Sequence, residues 1–149
     1  MKPLVVLIII FVIAEFIIRL VSKHFDHSMA ARIAMSGMLL FTAMGHFAFA
    51  KGMAMMIPPP VPFKMPIVYL TGIFEIIAAV GLLFNSFDRI TSYALILFFI
   101  LMFPANIYAA QKNVDYQKDS YDGPGIRYLW FRVPLQLLFI AWVYFSAVL

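Results

Sequence analysis

No cysteine occurs anywhere in the 149-residue chain. Disulfide frameworks, thiolate-bound zinc, iron–sulfur clusters and dithiol redox couples are therefore closed to it. Charge is scarce too, at 12% of residues where soluble domains carry about 25%. The net charge of +4 is spread thinly rather than gathered into a basic patch, so no nucleic-acid partner is expected. Ligand-bearing side chains are equally sparse. His24, Asp26 and His27 share one short polar stretch without further ligands, and His46 is the only histidine inside an apolar run. Neither a metal site nor a haem held by two histidines is expected.

What the chain does have is apolar residues, 64% of the total against about 45–50% for soluble domains. Apolar runs at 4–21, 29–50, 67–84, 90–110 and 128–149 are bounded by charges, proline or turn residues. Each approaches the ~20 residues that a membrane-spanning helix takes. The reading is an all-α membrane protein with five spans, one transmembrane domain over 1–149, and the lipid bilayer as its surroundings. Lys2, the run from Leu4 and the Ser28-Met29-Ala30 string loosely imitate a secretory signal. Glu15 and Arg19 interrupt that run, and the polar stretch after it is over-long for a cleavage region, so helix one is expected to be retained.

Two connections are long. Residues 51–66 carry Pro58-Pro59-Pro60-Val61-Pro62, whose rings fix φ and remove donors, so this stretch is expected to lie stiff and non-helical at the interface with Met53, Met55 and Met56. Residues 112–127 hold Asp115, Asp119, Asp122 and a Gly123-Pro124-Gly125 turn, and should be the most water-exposed part. Tyr69, Tyr108, Tyr128, Trp130 and Trp142 fit aromatic belts near the span ends. Orientation stays open, because total Lys and Arg counts favour one side as cytoplasmic and the flanks of helix one favour the other.

Polar side chains at bilayer depth cost about 2.5–3.5 kcal/mol each at a span centre, so each needs a partner or a wet cavity. Counted inward from the side of the two long connections, His46, Asn106 and Arg132 lie roughly 6–8 Å deep and Glu75 and Gln136 roughly 12–14 Å deep. Four helices thus place polar groups in one half of the bilayer, as a shared pocket requires. Thr42 and His46, Thr71 and Glu75, and Arg132 and Gln136 are each four residues apart, so each pair lies on one helix face. Pro104 and Pro134 sit at the same level and tend to open their helices. For Glu75 two readings stand, a proton-exchanging carboxylate or a structural bridge to Arg132. For His46 they are a ring coupled to a bound head group or a neutral imidazole satisfied within the protein. Glu15 and Arg19 are expected to form a structural i, i+4 pair.

Several strings resemble the DoxX family of small bacterial membrane proteins, relatives of the DoxD subunits of thiosulfate:quinone oxidoreductase. They are Gly45-His46-Phe47 within residues 32–47, Tyr69-Leu70-Thr71-Gly72 followed by Glu75, Phe103-Pro104-Ala105-Asn106 and Phe131-Arg132-Val133-Pro134-Leu135-Gln136. The resemblance implies a four-helix bundle of helices two to five in the cytoplasmic membrane, with helix one added, and a link to redox systems. On this reading the chain is the membrane subunit of a redox system, with a quinone as candidate cofactor and a membrane or peripheral redox protein as candidate partner. Glu75 and His46 would exchange protons, and Thr42, Thr71, Asn106, Arg132 and Gln136 would hold the head group. The rival reading is a non-catalytic assembly protein whose polar cluster only fixes helix packing.

Overall fold

The computed structural model describes residues 2–149, all-helical apart from turns and one isolated bridge between Asp115 and Ser120. The helices are α1 (Lys2–Ser22), α2 (His27–Ala48), α3 (Ala50–Met55), α4 (Lys64–Gly81), α5 (Asp88–Leu101), α6 (Phe103–Gln111) and α7 (Arg127–Val143), which runs on into a π turn (Tyr144–Val148). Counting α5 with α6 and α7 with its π turn as continuous rods, five helices among the described residues are long and apolar enough to cross a membrane.

Local chemistry explains the boundaries. Asp26 caps α2, its carboxylate accepting from the Met29 amide at 2.9 Å and satisfying one of the orphan donors of the first turn. The expected fourth span breaks at Met102, because Pro104 brings no N–H to the helical ladder. Pro134 is accommodated inside α7. The Pro58–Pro62 core is non-helical, as its rings require, while the chain ahead of it is helical through Met55. As a result Met53 and Met56 face inward on a cavity instead of lying in an interfacial loop.

α2 is the central element, packed between α1 on one side and α4 on the other, while α5 and α7 pair opposite. Leu7, Met35, Met38, Leu39, Leu82, Leu95, Phe99, Phe139 and Val143 form a close-packed core. They come from α1, α2, the end of α4, α5 and α7, and Met38, Phe99 and Phe139 among them border the cavity described below. Trp142 pins the start of α2, donating to the Ala31 carbonyl at 3.0 Å and meeting Phe11 of α1 edge-on. The outer faces carry large exposed apolar side chains, among them Val12, Phe16, Leu70, Ile77 and Leu97.

Two expected pairings are corrected. Glu15 does not hold Arg19. The turn after α1 brings His27 back onto Glu15, and Arg19 lies over the Phe25 ring, 4.7 Å from its centroid. Nor does Arg132 bridge to Glu75, whose ionic partner is His46. In both cases spacing along a helix fixed a level but not which neighbour faced it.

Candidate functional site

Above the core, in the half of the bundle toward the carboxyl end of α2, the helices enclose a cavity of about 580 Å3, within the ~300–1,000 Å3 range of small-molecule sites. Its walls are mostly apolar, including Met38, Phe41, Phe98 and Phe139, and all seven polar residues singled out from the sequence line it: Thr42, His46, Thr71, Glu75, Asn106, Arg132 and Gln136. They come from α2, α4, α6 and α7.

Gly72 lets two of those helices close up. A Cβ at that position would stand 2.8 Å from the His46 Cβ, so a larger residue would force α2 away from α4. With the backbones this close, His46 Nδ1 reaches the Val68 carbonyl at 3.1 Å and the Thr71 hydroxyl oxygen at 2.9 Å. The Thr71 hydroxyl itself donates to the Val68 carbonyl at 2.8 Å. A carbonyl only accepts, and the Thr71 proton is already used, so Nδ1 carries the hydrogen. That assigns Nε2 to the other side, where it faces Glu75 Oε2 at 3.5 Å. Thr42 Oγ1 lies 3.1 Å from the same oxygen and 3.0 Å from the Leu39 carbonyl, and its one proton can serve either.

His46 Nε2 and Glu75 Oε2 thus face each other on the cavity wall, with the Thr42 hydroxyl beside the same carboxylate oxygen.

Gln136 is used differently. Its amide nitrogen donates to the Phe99 carbonyl at 2.6 Å, near the carboxyl end of α5. Gln136 therefore bridges α7 to the break between α5 and α6.

Asn106 and Arg132 have no such engagement. Asn106 is 5% exposed, and its side chain has no hydrogen-bond partner among the described residues. Arg132 is half-buried, forms no ion pair among the described residues, and has its Nε occluded and unpaired. Burying an unpaired polar group is costly, so Arg132, with Asn106 beside it on the cavity lining, defines the part of the cavity that calls for an occupant.

Sequence reasoning missed the cover. The 112–127 connection is largely exposed, as its sequence predicts, but Tyr116 and Gln117 of it also line the cavity mouth with Tyr128. Gly52 of α3 rests directly on the Tyr116 backbone, where no Cβ would fit, and the Tyr116 ring meets Phe49 edge-on. Burial, followed by the neighbouring Tyr128, pushes the Tyr116 phenol above its ordinary pKa. The signal in the sequence is Tyr116, one of two tyrosines in a mostly polar loop. Among the described residues no three His, Asp or Glu side chains gather in a metal-binding group.

The comparisons correct the family suggested by the short strings. No curated protein and no solved structure matches the chain, and the matching family profile, over residues 35–147, is not DoxX. The strings misled for a physical reason. Glycine beside a polar residue at helical spacing, and proline ahead of a buried amide, are what any close-crossing polar bundle needs, and they do not identify a lineage. The matched stretch contains all seven polar residues and leaves α1 outside. The chain belongs to the family described as Domain of unknown function (DUF8561).

Proposed function

We propose that this chain is a multi-pass protein of the cytoplasmic membrane, a four-helix bundle with α1 as an additional span, whose cavity seats the polar head of a quinone-like lipophile. The membrane assignment is supported by five rods of sufficient length and apolarity and by the apolar side chains on their outer faces. The site assignment is carried by one observation. Asn106 and Arg132, unpartnered within the chain, border an apolar-walled cavity beside the facing His46 and Glu75 side chains.

In this reading Asn106 and Arg132 orient the oxygens of the head group. Arg132 offsets negative charge that develops there, and Glu75 with His46 holds a proton at the Nε2–Oε2 position. Thr71 and the Val68 carbonyl keep the imidazole in the tautomer that presents Nε2. A membrane or peripheral redox partner supplies the electrons, and the chain acts as its membrane subunit.

The test is to purify the protein in mild detergent, extract it, and identify bound lipophiles by mass spectrometry. One quinone at near-stoichiometric amount supports the proposal; bulk phospholipid alone overturns it. Glu75→Gln should keep the protein folded while impairing quinone-linked activity in membranes.

A second reading is favoured by a specific observation, the self-sufficiency of the Thr42, His46, Thr71 and Glu75 cluster. A cluster that satisfies itself fits a packing lock in a membrane assembly protein. Under that reading no small molecule copurifies, and the main effect of His46→Ala is a loss of thermal stability.

A further inference from the structure

Six ionisable side chains line the cavity: Lys2, His46, Glu75, Tyr116, Tyr128 and Arg132. Their charges do not cancel. Glu75 is the only carboxylate among them, set against two cations, and the side chain it faces is His46, at 3.5 Å. The tyrosines are neutral at physiological pH. Lys2 and Arg132 remain, both cationic, and neither has a carboxylate partner among the described residues. In the nearby acidic loop Asp115 pairs with Lys118, and among the described residues no aspartate of that loop forms an ion pair with Arg132 or Lys2.

Arg132 is the more telling of the two. Lys2 lies at the first turn of α1 and can reach water at the mouth. Arg132 is a full turn and more inside α7, half-buried in an apolar bundle, with a guanidinium that stays protonated under all ordinary conditions. A cation in that position without a counter-ion is costly. An occupant carrying a negative oxygen would remove the cost, and the planar fork of the guanidinium suits a pair of oxygens. Asn106, buried and also unpartnered, adds an amide donor on the same cavity wall.

We infer that the cavity selects lipophiles whose head group is an oxyanion, seated on Arg132 and Asn106 with the apolar body along the Met38, Phe98 and Phe139 walls. This rests on the head-group reading of the cavity and narrows it to a charge class. A carboxylate, a phosphate or the ionised hydroxyl of a hydroxylated quinone ring shares the required chemistry. A neutral ring or alcohol of the same size does not.

Two matched probe pairs separate these, using the whole protein in neutral detergent at neutral pH. One pair is an alkylated hydroxynaphthoquinone, ionised under these conditions, against the same ring with methyl in place of the hydroxyl. The other is dodecanoate against dodecanol. Binding is read by native mass spectrometry and by ligand-induced thermal shift. The expected result is that the anionic member of each pair binds about tenfold more tightly or better, as for a charge-assisted hydrogen bond in a low-dielectric site. Arg132→Gln should abolish the preference and Arg132→Lys should keep part of it. Equal binding of both members, with occupancy still blocked by Ala105→Trp at the cavity wall, overturns the charge inference and leaves the cavity reading standing. Absence of binding by all four probes, or binding that Ala105→Trp does not alter, overturns the cavity reading itself. If preference for the hydroxynaphthoquinone alone is seen, the oxyanion is carried on a ring; if for dodecanoate alone, on an acyl chain. Because the wild-type comparison needs no variant, a misfolded Arg132→Gln protein does not spoil the test.

Discussion

Gly72 of α4 lies against His46 of α2 so closely that a Cβ on residue 72 would stand 2.8 Å from the His46 Cβ. Two backbones meet there, not the tip of a flexible chain, and the tautomer of His46 depends on the resulting reach to the Val68 carbonyl. Gly72→Ala should therefore separate the helices at the site and cost about 1–3 kcal/mol, the usual penalty of overpacking. Gly45→Ala is the control, since its Cβ would touch only the Met53 Cε, at 3.4 Å. Thermal unfolding in detergent, followed by far-ultraviolet circular dichroism, should show a clear loss for the first and little change for the second.

Substitutions at Glu75 divide its hydrogen-bonding role from its charge. Glutamine can accept from Thr42 and donate to His46 Nε2, so Glu75→Gln should change stability by less than about 1 kcal/mol. Glu75→Leu leaves Nε2 without a partner, whereas Thr42 still has the Leu39 carbonyl. That orphaned group should cost about 1–3 kcal/mol, measured by the same unfolding assay.

The amide of Gln136 closes the break between α5 and α6 through the Phe99 carbonyl. Gln136→Leu removes the donor from a buried acceptor, at a cost of about 1–3 kcal/mol. Hydrogen–deuterium exchange locates the damage. Amides around the break, from residue 99 to 106, should exchange faster, while those of α1 should be unaffected.

Tyr116 makes the cover of the cavity sensitive to alkali. Its pKa in the folded protein is raised, chiefly by burial, so the unfolded chain releases this proton first as pH climbs. The stabilising contribution is fully present below the ordinary tyrosine value of about 10 and is lost as pH rises through the folded value. Tyr116→Phe should flatten that part of the alkaline decline in unfolding temperature and leave the neutral range nearly unchanged. An identical decline in both proteins would rule the contribution out.

The sequence by itself determined the helical class, the five apolar rods, and the level at which polar groups sit. Those follow from composition, from run length, and from a rise per residue that is the same in every helix. It also marked Pro104 and Pro134 as helix-opening residues, of which Pro104 breaks the fourth rod and Pro134 is carried within α7. What only the tertiary structure decided was direction around each helix axis. His46, not Arg132, became the partner of Glu75, and His27, not Arg19, the partner of Glu15. Gln136 went to a backbone carbonyl, and Tyr116 came back from a polar loop to cover the cavity. Periodicity tells which residues share a face of one helix, but which face meets which depends on how closely the backbones can approach. Here that approach is set by single glycines such as Gly72, whose effect is felt only once a second helix is present.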